Sequence, residues 1–196
     1  MIGEWLKGKA IQSLEVDPPT IRDRVAQWEA AGATSDDALR QRAESHHARR
    51  AAMHGFATGI IPGVVGSLVV SLFDARGIAR ERAAFAATCA YIMDRRFFDD
   101  PSYALAIARS LDSGDLVLST PSGEDGWGNT ALAFHAKQYA RRALRRGALR
   151  WIGKKVVGGP SSFVLPVVGG AVGAAWNYGE LKWVGLRFRD DFRATA

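Results

Sequence analysis

VVGGPSSFVLPVVGGAVGAAWNYG, from Val156 to Gly179, runs for 24 residues without a charge. It is rich in glycine, alanine and valine, Pro166 divides it, and charges resume at Glu180. An earlier stretch, GFATGIIPGVVGSLVVSLF from Gly55 to Phe73, has the same character over 19 residues. In the earlier stretch Gly55, Gly59 and Gly63 are spaced by four and Ser67 continues the row, with Gly66 one turn beyond Gly63. On a helix such a row leaves one side nearly bare, so a second helix can approach closely. Gly169, Gly170 and Gly173 offer a similar face in the later stretch. Proline removes a backbone donor and disfavours helix at the residue before it. Pro62 and Pro166 are therefore expected to break these helices, Pro62 near residues 60–62. The two stretches also echo each other: IIPGVVGSLVVSLFD (60–74) and VLPVVGGAVGAAWN (164–177) each place a polar residue, Asp74 or Asn177, eleven or twelve positions after the proline. Shared composition alone could produce that echo; so could a pair of packed broken-helix hairpins.

The rest of the chain fits the same class. Residues 2–15 suit a short helix. Ile21, Val25 and Trp28 recur at helical spacing after a cap at Thr20, and Gly32 closes that helix. Ser35 can cap the next, with Asp36 and Asp37 at its positive end, and that helix is expected to run towards His54. From Ile78 a stripe of Ile78, Phe85, Cys89 and Ile92 faces away from Arg80, Glu81 and Arg95. Asp99-Asp100-Pro101 reads as a helix start, with Tyr103, Ile107 and Leu111 on the buried face. Residues 112–129 are the most irregular stretch, with a short extended piece at Leu116–Leu118 and a glycine loop at Gly123, Gly126 and Gly128. A long basic helix then runs to about Ile152, and Leu181, Val184, Leu186 and Phe188 mark a closing helix. The expected fold is all-α: a helical bundle with two glycine-rich broken-helix hairpins packed centrally.

Charge narrows the choice of partner. The net charge is +6, and eight cations with no acid lie between Lys137 and Lys155: Lys137, Arg141, Arg142, Arg145, Arg146, Arg150, Lys154 and Lys155. Without them the chain would be net negative, so the basic character is local. A cationic helix that feeds an uncharged segment suits an anionic membrane surface, at about 1 kcal/mol per cation close to that surface. A solvated helix face is the plain alternative. Nucleic acid is disfavoured, since no recognition motif and no basic–aromatic interleaving occurs. Simple spanning is disfavoured by length: Gly63–Phe73 and Val167–Gly179 make roughly 16 and 20 Å of helix against about 30 Å of hydrocarbon. One cysteine, Cys89, excludes an internal disulfide and suits a reducing compartment. No apolar signal-like run opens the sequence. The expected location is cytoplasmic and peripheral to the inner membrane, with delivery by a signal-independent secretion machine as the alternative.

Chemistry is sparse. His47 and His54 share a helix face about 10 Å apart, too far to hold one metal unaided. No HExxH, GxSxG, GxGxxG or Walker pattern occurs. Cys89 sits on an apolar stripe and reads as core. No catalytic residue, metal or cofactor is assigned. The candidate polar site is Asp74, Glu81, His135 and Asn177.

GFATGIIPGVVGSLVVSLFDARGIARERAAFAATCAYIMD (55–94) resembles the opening of the EcsC family, a glycine-rich helix leading into a long polar one. VLPVVGGAVGAAWNYGELKWVGLRFRDDF (164–192) looks like that family's closing segment. The resemblance covers roughly residues 46–192 and departs from the family at Tyr91–Pro101, where YIMDRRFFDDP replaces a glycine-tyrosine-aspartate turn. It implies a bacterial, membrane-associated accessory role, because the family is named after a gene beside an ABC transporter linked to protein secretion. It carries over no catalytic residues. On this reading residues 1–34 are a helical extension and 35–196 an EcsC-like helical domain. The expected partners are anionic membrane lipid or a membrane protein such as a transporter. Two alternatives are a soluble helical protein with an apolar pocket for a lipid-like ligand, and a secreted membrane-inserting effector.

Overall fold

The computed structural model describes residues 16–59, 64–100, 102–113, 116–118 and 164–194. Among them are five α-helices and no strand: α1 (Pro18–Ala30), α2 (Asp36–Gly59), α3 (Val64–Met93), α4 (Tyr103–Ser113) and α5 (Val164–Ala194). The all-α bundle expected from periodicity is what forms. The segment from Lys137 to Lys155, His135, Gly63 and the first fifteen residues lie outside the described residues. Gly59, Gly66, Asp74 and Gly169 lie on described helices, with their surroundings outside that description.

Helix boundaries follow local chemistry. Asp17, in an extended conformation, is the N-cap of α1, with proline in the first positions after it. That start is three residues earlier than a Thr20 cap would give. Proline lacks only a donor that the first turn cannot use, so Pro18 and Pro19 begin the helix rather than precede it. The Thr20 hydroxyl instead donates to Asp17 Oδ2 at 2.5 Å. Gly32 closes α1 at φ 88°, a conformation that costs a side-chain-bearing residue about 1 kcal/mol or more. Ser35 Oγ accepts from the Ala38 N–H at 3.2 Å, and Asp36 and Asp37 occupy the first turn of α2. That helix continues past His54 to Gly59, and α3 begins at Val64 beyond Pro62.

Met93 ends α3, and a 3-10 turn at Phe97–Asp99 follows. Asp100 then caps α4 by accepting from the Ser102 N–H at 2.7 Å. Leu116–Leu118 is not a strand; it is pinned by bonds from Leu116 N–H to Asp191 Oδ2 and from Val117 N–H to Ser110 Oγ, both 2.8 Å. Pro166 does not divide the helical part of its stretch. It falls in the first turn of α5, where the missing donor is harmless, and the helix runs on for 31 residues.

α2 is the central element, with α3 on one side and α5 on another. Gly55 meets Gly173, Asn177 bonds to the Ala51 carbonyl, and Glu44 lies over Gly185, so α2 and α5 run antiparallel. The main core joins Ile21 and Val25 of α1, Leu39 and Ala43 of α2, Phe85, Cys89 and Ile92 of α3, Ile107 and Leu111 of α4, and Val184, Phe188 and Phe192 of α5. Phe85 stacks on Phe188 at 5.6 Å between ring centroids, which ties α3 to α5 across the bundle. A smaller cluster of Ala48, Ala51, Ile78 and Leu181 continues it towards the glycine crossing.

The apolar stripe of α3 is buried as its spacing predicts, and of the polar residues set against it Arg80 and Arg95 are exposed while Glu81 is not. Glu81 and Arg82 are 2% and 9% exposed. Both form ion pairs with neighbouring helices, Glu81 with α2 and Arg82 with Glu180 of α5.

Candidate functional site

Two features stand out, a buried polar seam between α2 and α3 and an apolar face of α5 turned outward.

The seam centres on Glu81. Its Oε2 lies 2.9 Å from His47 Nδ1, and its Oε1 accepts from Arg50 Nε at 2.9 Å. His54 Nε2 is 3.8 Å from the same Oε1. One carboxylate of α3 thus gathers three side chains from two turns of α2, and His47 and His54 share it as a partner. Among the described residues no group of three metal-binding side chains is assembled.

Burial alone would push the Glu81 carboxyl up. The hydrogen bond from His47, with the charge and hydrogen bond of Arg50, outweighs it, and the group is held below the usual carboxylate range. Burial pushes the His47 imidazole down despite the bond to Glu81, and Arg24 and Arg50 add to the lowering. At neutral pH His47 is therefore the neutral ring, its Nδ1–H donating to Glu81. Its Nε2 faces the Thr88 hydroxyl at 3.4 Å, yet the single Thr88 proton is committed to the Ala84 carbonyl at 2.6 Å.

Thr88, His47 and Glu81 follow the order hydroxyl, imidazole, carboxylate of a nucleophilic triad. They do not work as one. All three are at most 2% exposed, and the hydroxyl donates to its own helix. The arrangement is a clamp that fixes the register of α3 on α2. Cys89 is equally withdrawn from chemistry, because burial pushes its thiol far up.

Of the remaining polar candidates, Asn177 is buried on α5 and donates to the Ala51 carbonyl at 3.2 Å, apart from the Glu81 contacts. A second ionic group sits further along α2. Arg40 binds Asp37 at 2.9 Å and Glu44 at 3.0 Å, while Lys182 of α5 reaches Glu44 at 2.6 Å.

Gly55 of α2 and Gly173 of α5 serve packing at one crossing. A Cβ at Gly55 would collide with the Gly173 carbonyl oxygen and lie 2.6 Å from Asn177 Nδ2. The reciprocal Cβ at Gly173 would collide with the Gly55 carbonyl oxygen. Gly170 is also buried.

Opposite that buried face, α5 is apolar as well. Val172, Trp176, Trp183 and Leu186 are 42, 45, 55 and 49% exposed. At 100° per residue they fall within about 40° of one line along the helix. Gly179 lies on the same line, with nothing within 4 Å of a Cβ placed there. Arg187 lies 5.0 Å from the Trp183 ring, and Lys182 lies 5.7 Å from Tyr178. At the glycine crossing Met53 and Phe56 of α2 are exposed too. A helix apolar on both faces normally has both covered.

The outward face is legible in the sequence. Positions 172, 176, 183 and 186 form one helical stripe, and 177, 181, 184 and 188 form another. No protein-family model, curated protein or solved structure matches this chain.

Proposed function

We propose that the protein is a peripheral, membrane-associated helical protein that lays the outward face of α5 on the bilayer surface. The observation that carries this reading is the exposed line of Val172, Trp176, Trp183 and Leu186. Contiguous exposed apolar surface marks an interaction site, and tryptophan beside cations suits the polar–apolar boundary of a membrane. From Val172 to Leu186 the line is roughly 21 Å long by the helical rise. It suits a helix lying in the interface plane rather than crossing it. No helix among the described residues is long and apolar enough to cross a membrane. The eight cations of Lys137–Lys155 supply attraction to anionic lipid. The resemblance to the EcsC family supports the same accessory role, with a membrane protein such as a transporter as a further partner.

The test is flotation with phosphatidylcholine vesicles, with and without phosphatidylglycerol. The wild type is expected to float with the anionic vesicles at low salt. Trp176→Ser and Trp183→Ser should each weaken binding by about tenfold, from the apolar area each ring buries in lipid. Their melting temperatures should stay near wild type, as both rings are exposed. Indifference to anionic lipid, or unchanged flotation of the double variant, would count against the proposal.

A further inference from the structure

His46 lies beside the seam but outside its bonding. Its ring meets Trp28 of α1 edge-on at 5.8 Å and His47 at 5.0 Å. Its Nε2 is buried and has no hydrogen-bond partner. The charged groups around it are Arg24 on α1, His47 and Arg50 on α2, and Glu81 on α3. The only acid among them is already engaged through both oxygens, by His47 and by Arg50. A proton on His46 would therefore add a cation to a cationic corner with no carboxylate left to take it. The Nε2 edge of the ring has no access to water in the packed bundle.

We propose that the His46–Trp28 contact is an acid-sensitive latch, whose protonation releases α1 from the bundle. The release falls on α1 because little else holds it. Two of its side chains, Ile21 and Val25, are buried in the core. Its ion pairs, Arg22 to Asp99 at 2.9 Å and Glu29 to Arg95 at 2.6 Å, lie at the surface and contribute little. Departure of α1 would uncover the core surface that Ile21 and Val25 close.

Burial first, then the neighbouring His47, Arg24 and Arg50, hold the His46 ring down at about 4 against an ordinary 6.5. A histidine lowered on folding stabilises the closed form fully above its unfolded value and loses that contribution as pH falls. The window is therefore from 6.5 down to about 4.

Hydrogen exchange of the full chain between pH 7.5 and 4.5, corrected for intrinsic rates, reads the latch. Protection of residues 18–30 should fall about tenfold between pH 6.5 and 4.5, a value reduced for the ring's partial exposure. Protection of residues 103–113 should hold. In His46→Phe, which keeps an aromatic edge against Trp28 without a titrating group, the pH dependence should vanish. His46→Gln serves the same purpose if the phenylalanine variant does not fold. By NMR the His46 ring should titrate near 4. Constant protection of 18–30, an unchanged pH response in the variants, parallel loss at 103–113, or a His46 midpoint near 6.5 would each overturn the proposal.

Discussion

Gly173→Ala is expected to destabilise the protein by about 3 kcal/mol, while Gly179→Ala in the same helix should be neutral or stabilise it by up to ~1 kcal/mol. The substitution is identical and both sites lie within α5, so helix propensity favours alanine equally at each. Surroundings decide the sign. At Gly173 the new methyl would enter the Gly55 carbonyl oxygen and lie 3.1 Å from its carbon, atoms of a backbone that cannot rotate away. The two helices would have to separate, loosening Ala51 and Leu181 and straining the bond from Asn177 to the Ala51 carbonyl. At Gly179 the methyl meets open space. Thermal denaturation followed by circular dichroism reads the difference. At 2–4 °C per kcal/mol for a chain of this size, Gly173→Ala should melt roughly 6–12 °C lower. Equal effects at the two glycines would mean that the crossing is not close.

The second large effect is expected at Glu81. Glu81→Leu should cost about 3 kcal/mol, because it leaves the buried Nδ1–H of His47 without an acceptor and removes the partner of Arg50. Arg50 is half exposed and can turn to water; His47, at 2%, cannot. The double variant Glu81→Leu with His47→Leu should therefore be more stable than Glu81→Leu alone, since both members of the pair then become apolar. A double-mutant cycle by urea denaturation measures this directly. Additive losses would show that the two side chains do not act as a unit.

Much of the scaffold could be read from local patterns, because the signals that set it are local. Ser35, Gly32, Asp100 and the stripe Ile78, Phe85, Cys89 and Ile92 act through neighbours one or two turns away. The burial of Glu81 follows from the same spacing, since 78, 81 and 85 share one helix face, but its partners could not be read that way. Only when α2 is laid against α3 do His47 and Arg50 arrive from more than 30 residues away. Pro166 misled for a related reason. Proline breaks a helix from within but tolerates its first turn, and where the turn starts is a tertiary choice. The glycines of the uncharged stretch read as a face for close helix packing, and Gly173 does meet Gly55 of α2. The lipid-facing proposal rests on the other side of the same helix.

Gly179 gives the most direct measurement of that proposal. Cys89 is buried and its thiol is pushed up, so a cysteine introduced as Gly179→Cys can be labelled selectively with a nitroxide. The label would stand between Trp176 and Trp183 with open space around it. A second label at Gln27, exposed on α1, serves as the control. With phosphatidylglycerol vesicles, the label at 179 should gain collisions with oxygen and lose them with a water-soluble nickel chelate, while the label at 27 stays accessible to the chelate. If the label at 179 remains as open to the chelate with vesicles as without them, the outward face of α5 does not meet the bilayer.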